Sequence, residues 1–353
     1  MKLMNALKMA ALWTATSLSL LGAAQVSAQG AKPPPKFTLT IAVPGDTLIF
    51  LPIYVARSGG FFEEEGIKVD WVNVGPSSRQ APAVMGGSAD VTPLSLFHMV
   101  HAQKRGLKLV TLSAIMDATA IQLTLTNDAV KKSGIVASMP MAEKLKRLKG
   151  MTIGTSAPGS GTETIFRKML QYRGMDPDRW LTLKPVGGAA PSLAAFENGL
   201  VDGVVYPAPV PEIIEAKGTG KTVIDGFKED IAEVTDVPFL VLATSQETLT
   251  KKPELMAATA RAMAKAMNFA QKNPEKVATL LRQYFKDSDE AIYLKMVESY
   301  RKATAKTPLI TAAQVAKTAK WVSIGEPTPF VVKYEDIVAV EPARSAAAAF
   351  IGR

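Results

Sequence analysis

From Phe37 to Val43 (FTLTIAV) apolar and polar side chains largely alternate, and the run stops at Pro44-Gly45-Asp46, so it reads as a β-strand leading into a turn. Residues 51–65 (LPIYVARSGGFFEEE) change to a helical spacing, with Pro52 suited to the first turn. Alternation returns over 68–74 (KVDWVNV), a short helix fits 80–86, and 89–92 begins a third strand. Strands separated by helices pair in parallel, with helices covering both faces of the sheet.

The same order recurs. Residues 151–155, 182–186 and 202–206 read as strands, and 161–172 and 192–197 as helices. Leu39 and Asp90 are separated by the same number of residues as Met151 and Asp202, and each unit ends in a Gly-x-x-Asp turn (Gly87 to Asp90, Gly199 to Asp202). Two α/β units of matching layout follow; a single doubly wound sheet is the alternative. Apolar connecting strands are expected at 115–126 and 237–244, and helices at 253–273, 273–285, 289–304 and 311–321. If those helices return to the first unit, the chain crosses twice between lobes and leaves a hinge and a cleft. The expected lobes are 37–117 with 243–345, and 118–242.

The N-terminus carries Lys2 and Lys8, then a mostly apolar stretch from Met9 to Ala24, then Val26-Ser27-Ala28 ahead of Gln29, the pattern of a cleaved secretory signal over 1–28. Four hydroxyl residues break the apolar stretch, against the roughly 20 apolar residues a membrane span needs. Residues 29–36 include three consecutive prolines and form a spacer. Export to the periplasm is therefore expected. The chain has no cysteine, which excludes a disulfide framework, a thiolate zinc site, an iron–sulfur cluster, a cysteine nucleophile and a lipid-modified cysteine anchor. Its net charge of +9 falls to +7 without Lys2 and Lys8. The densest basic cluster, Lys144, Lys146, Arg147 and Lys149, reads as a solvated helix face, so no nucleic-acid partner is expected.

Several short motifs keep a distinctive order: Leu51-Pro52 with Gly60-Phe61-Phe62, Gly66-Ile67-Lys68-Val69, Gly87 to Asp90, Lys149-Gly150 before Ile153-Gly154, Arg173-Gly174-Met175-Asp176-Pro177, Gly199 to Asp202, Pro253-Glu254 and Asn273-Pro274-Glu275. Over about Thr38 to Trp321 the chain thereby resembles the periplasmic solute-binding proteins of ABC importers in the nitrate/sulfonate/taurine group, which has relatives concerned with thiamine-precursor pyrimidines. The resemblance implies a type II periplasmic-binding fold with two lobes, a small-molecule ligand in the cleft, and a permease and ATPase complex in the inner membrane as partner. It implies a monomer that needs no cofactor and catalyses no reaction. Two departures matter. Val205-Tyr206-Pro207-Ala208 stands where sulfonate-type proteins often carry Trp-Asp-Pro, and the cysteine-rich motif of the pyrimidine-synthesising relatives has no counterpart here.

In open α/β sheets ligands sit beyond the carboxyl ends of the strands, near helix N-termini. That rule selects Asp46, Thr47 and Phe50; Leu94 and Ser95; Ser160, Gly161 and Thr162; and Tyr206. Ser160 and Glu163 also have the spacing of a capping box. Arg79 is the cation placed to pair with a carboxylate or sulfonate, and Asp117 falls in the hinge. Asp46 and Glu163 would repel a bare divalent oxyanion, so a small organic ligand with one polar end fits better. His98 and His101 lie one helical turn apart, but no neighbouring carboxylate completes a metal set and no Gly-x-Ser-x-Gly elbow accompanies them. The expected function is capture of a small polar organic ligand for import; a pyrimidine-precursor enzyme and a ligand-sensing protein are the alternatives.

Overall fold

The computed structural model describes residues 34–351 apart from 46, 229–233, 235 and 287. The expected export signal and residues 29–33 of the spacer lie outside the described residues, as does Asp46. In chain order the strands are β1 (Phe37–Val43), β2 (Ile67–Asn73), β3 (Val91–Ser95), β4 (Leu109–Met116), β5 (Gln122–Thr126), β6 (Thr152–Thr155), β7 (Thr182–Pro185), β8 (Gly203–Tyr206), β9 (Gly220–Asp225) and β10 (Leu240–Ser245). The helices that matter below are α1 (Leu51–Ser58), α2 (Gln80–Met85), α3 (Leu96–Lys104), α4 (Gly161–Gln171), α5 (Ala189–Glu197), α6 (Val210–Ala216), α7 (Pro253–Lys272), α8 (Pro274–Leu281), α9 (Glu290–Ala303) and α10 (Ala312–Val322).

The strands form two five-stranded mixed sheets, ordered β2-β1-β3-β10-β4 and β7-β6-β8-β5-β9. In each, three strands run parallel and one antiparallel strand separates them from the far edge: β10 between β3 and β4, β5 between β8 and β9. The single-sheet alternative is thereby excluded. The internal repeat reaches atomic detail. The Asp90 carboxylate accepts from Thr40 N at 2.9 Å, and the Asp202 carboxylate accepts from Thr152 N at 2.7 Å. Each Gly-x-x-Asp turn therefore ties its third parallel strand to its first.

Several elements differ from the sequence expectation, each for a local reason. The helix expected over 51–65 breaks at Gly59-Gly60, where Gly60 takes a φ of 77° that a side chain disfavours. The strand expected over 115–126 is the end of β4, a link at 117–121, and β5. β4 itself is buried along its whole length and so lacks the alternation that marks a half-exposed strand. β10 starts three residues later than expected and lies wholly in the first sheet, so the second crossing precedes Leu240 and does not fall at 242. Lys144, read as part of a solvated face, is fully buried.

The C-terminal helices do return to the first sheet. α7 carries a stripe of alanines and methionines into the core and packs on β4 and α1, while Arg261 and Lys265 pair with Glu65 at 2.7 Å each. α10 stacks Trp321 on Phe97 of α3 with ring centroids 4.4 Å apart.

The first crossing, 117–121, and the start of the second, at Gly226, run against each other. Gly226 N donates to Ile121 O at 2.9 Å, and a β-carbon on Gly226 would stand 1.9 Å from Thr119 O. α9 braces the same region: the Tyr300 hydroxyl accepts from Ala208 N at 2.8 Å and its ring meets Phe227 edge-on. Nearby Glu212, largely buried, has its carboxyl pushed up to about 7, first by burial and then by Asp225 and Glu215. A raised carboxyl favours the folded state while protonated, so this contribution is present below the ordinary carboxylate range and lost as pH rises toward 7. Glu212→Gln should therefore flatten the fall in melting temperature between pH 4.5 and 8, an effect on the order of 2 kcal/mol.

Candidate functional site

A cavity of about 440 Å³ lies where the carboxyl ends of the two sheets face each other. In the first sheet it opens between β1 and β3, and Pro93 helps to part them. The β1–β3 ladder is confined to Ile41 and Val91, and Pro93 has no N–H to extend it. Gln80 fills the gap, its side-chain amide donating to the Thr92 hydroxyl at 2.9 Å and to the Pro93 carbonyl. This is the point where connections leave the sheet in opposite directions, the usual ligand position in such folds.

The second sheet contributes the segments after β6 and β8. Ser156 N donates to the Thr162 hydroxyl at 3.1 Å, which folds the 156–162 loop back on the start of α4. Half of the expected capping box forms, Glu163 N donating to Ser160 Oγ at 3.4 Å; the Glu163 carboxylate reaches Gly159 N at 2.6 Å instead of closing the box. Gly161 leaves the helix start open: a β-carbon there would meet the His98 ring at 3.7 Å as its nearest neighbour. Gly188 does the same at the start of α5, where nothing stands within 4 Å of its β-carbon direction.

Of the residues selected from sequence, Thr47, Phe50, Leu94, Ser95, Gly161, Thr162 and Tyr206 line this cavity. Ser160 is fully buried beneath it as the α4 cap. Asp117 sits in the first crossing, where its carboxylate accepts from Lys306 N at 3.0 Å, and burial raises its carboxyl above the usual range. Arg79 is exposed in a shallow surface groove beside Asn73 and Ser88, outside the cavity. Sequence placed Arg79 only by its distance from a turn, and the turn of 3-10 helix at Ser77–Arg79 carries it outward. Arg79→Ala is accordingly expected to change ligand affinity by less than about threefold, measured by calorimetry, as for other rim charges.

Residues missed from sequence include Asn73, Gln80, His98, Ile121, Gly188 and Phe239. Gln80 was legible only as the first residue of a helix, and Phe239 only as part of an apolar run. Among the described residues that line the cavity there is no Lys, Arg, Asp or Glu. Polarity comes from hydroxyls, amides and the N-termini of α4 and α5, whose partial positive charge favours an acceptor by about 0.3–1 kcal/mol each. Burial pushes the Tyr206 phenol up to about 12, so it remains a neutral wall, and burial pushes the His98 imidazole down to about 4. Two side chains of the first half bridge the cavity to backbone of the second: Thr47 Oγ1 donates to Ala208 O at 2.9 Å, and His98 Nε2 lies 3.3 Å from Gly159 O.

Two mixed sheets of this order, joined by two crossings around a shared cavity, define the type II periplasmic-binding fold. Solved structures agree: a Bordetella bronchiseptica RB50 protein matches with a TM-score of 0.76 and 23% identity over 88% of this chain and 96% of that one. The nitrate-binding protein NrtA of Synechocystis PCC 6803 matches at 0.66 and 13% over 92% and 91%. The alkanesulfonate-binding protein SsuA of Xanthomonas axonopodis pv. citri, bound to MOPS, matches at 0.62 and 19% over 82% and 90%.

Residues 48–277 match the family model described as NMT1/THI5 like, and the chain belongs to that family. Among curated relatives, YtlA of Bacillus subtilis (strain 168), provisionally named a binding protein, is 23% identical over 74% of this chain and 75% of its own length. The 4-amino-5-hydroxymethyl-2-methylpyrimidine phosphate synthase of Aspergillus parasiticus is 25% identical over 38% of this chain and 35% of the synthase.

Proposed function

We propose that this protein is the periplasmic substrate-binding component of an ABC importer, capturing a small polar organic molecule between its lobes and presenting it to a permease and ATPase complex. The cavity between the sheets, bridged from lobe to lobe by Thr47 and His98, carries this reading. A ligand that contacts both halves stabilises the closed arrangement over the open one, which is the change a permease can read. Phe50, Leu94 and Tyr206 offer apolar walls, and the α4 and α5 N-termini receive the ligand's acceptor end. A sulfonate, a carboxylate or a pyrimidine ring meets these terms.

The binding reading is preferred to an enzymatic one on the chemistry of the site. The chain lacks cysteine, and the histidine in its cavity has both ring nitrogens within hydrogen-bond distance of protein atoms. The secretory pattern over 1–28 supports export, and no helix among the described residues is long and apolar enough to cross a membrane.

A thermal-shift screen with MOPS, taurine, aromatic carboxylates and 4-amino-5-hydroxymethyl-2-methylpyrimidine tests the reading. A binder at a hundredfold excess over its Kd should stabilise the fold by about 2.7 kcal/mol. Turnover of any of these compounds by the purified protein would overturn the non-enzymatic part.

A further inference from the structure

His98 joins the two lobes through a ring whose protonation the geometry fixes. Nδ1 lies 2.6 Å from Ser95 Oγ, and Nε2 lies 3.3 Å from the Gly159 carbonyl. A carbonyl only accepts, so Nε2 carries the hydrogen and Nδ1 accepts the Ser95 hydroxyl proton. Ser95 Oγ in turn caps α3 by accepting from His98 N at 3.2 Å. The first lobe thus presents a pre-oriented neutral imidazole to the backbone of the second, beside the cavity.

Building on the proposed binding function, we infer that His98 is a positioning residue that latches the lobes closed over the ligand, and that its protonation in mild acid opens them. An imidazolium here could keep Ser95 only by reversing that bond, Nδ1–H donating to an Oγ that already accepts from His98 N, and it would gain no free anion. Its charged neighbours are His101 on its own helix and Arg105 just past the helix end. His101 in turn lies near Lys104, Lys168 of α4 and Glu326 after α10, the last already paired with Lys104. Glu163 at the start of α4 is bound to Gly159 N and Arg167. The surrounding charge is cationic or already paired, and opening the cleft would hydrate the ring.

The direction of the effect follows from the two states. Closed, burial holds the imidazole down to about 4; open and hydrated, it returns to about 6.5. Between those values the open form binds more protons, so falling pH favours opening, and above about 6.5 the latch is insensitive. His101, also lowered by burial, lies on the same helix face toward Lys168 and would act in the same sense.

With no native cysteine, spin labels at Ser78→Cys and Lys184→Cys can report the distance between the lobes by double electron–electron resonance. Loaded with the compound that gives the largest thermal shift, the closed-to-open ratio should fall at least about threefold between pH 8 and pH 5.5. With His98→Gln, which can donate to Gly159 but does not titrate in this range, the ratio should stay constant; His101→Asn should leave most of the wild-type response. Two interconverting distances without pH dependence would overturn the latch and leave the hinge reading intact. One distance under all conditions, with and without compound, would overturn both. Nitrogen-15 spectra of the wild type, which has two histidines, give a second readout independent of any variant's folding. In protein saturated with that compound His98 should hold the Nε2–H tautomer at pH 8 and take up its proton at lower pH than in the unliganded protein; an Nδ1–H form at pH 8, or the same titration with and without compound, would reject the latch.

Discussion

Gly161→Phe should abolish capture of the ligand while leaving the protein folded. Gly161 is the first residue of α4 and has ordinary helical geometry, so a side chain brings no backbone strain. The nearest atom to its β-carbon direction is the His98 ring at 3.7 Å, which leaves room for the first carbon and drives the remainder of a phenyl group into the cavity. The ring would cover the α4 N-terminus and hold Thr162 and His98 apart. Affinity for any compound that stabilises the wild type should fall by more than about tenfold, a change of 1.4 kcal/mol. The melting temperature of the unliganded variant should move by no more than about 3 °C. Retained affinity would mean that the ligand binds elsewhere.

The largest effect on stability is expected at Gly226. Its amide bonds Ile121 O, and an alanine there would put a carbon 1.9 Å from Thr119 O and 2.8 Å from Ile121 O. Both obstacles are backbone, so no side-chain rotation relieves them, and the two crossings must move apart. Such overpacking costs about 3 kcal/mol. It would fall on the segments that set the lobes' relative position and would be opposed by the Tyr300–Ala208 bond and the edge-on contact of Phe227 with Tyr300. Denaturant unfolding of Gly226→Ala checks this; a loss below about 1 kcal/mol would show that the crossings yield easily and do not act as a fixed hinge.

The repeat was legible because it is written in short-range chemistry. Alternation marks β1, and Asp90 and Asp202 recur at a fixed distance from the strand residues they bond. Buried strands such as β4 have no alternation to show, and β9 begins at a glycine that packs against Phe196. For the site, the rule about strand carboxyl ends located seven lining residues, because it depends on topology and the topology was readable. It failed where direction decides. Arg79 and Asn73 are near neighbours in sequence, yet one faces a surface groove and the other reaches the cavity rim as well. Gln80 enters the site only because Pro93 leaves a gap in a ladder formed by residues far away in the chain. His98, weighed from sequence as half of a metal pair and set aside, meets Ser95 at the cap of its own helix and Gly159 across the cleft; no spacing rule connects those three.

The central claim is that a small organic ligand lies between the two sheets. A crystal structure of the protein grown with the compound of largest thermal shift tests it most directly. The account predicts density enclosed by Phe50, Leu94 and Tyr206, with the ligand's acceptor atoms toward the amides of Gly161 and Gly188. Density at the outer groove by Arg79, or an empty cavity with the compound bound on the surface, would contradict it.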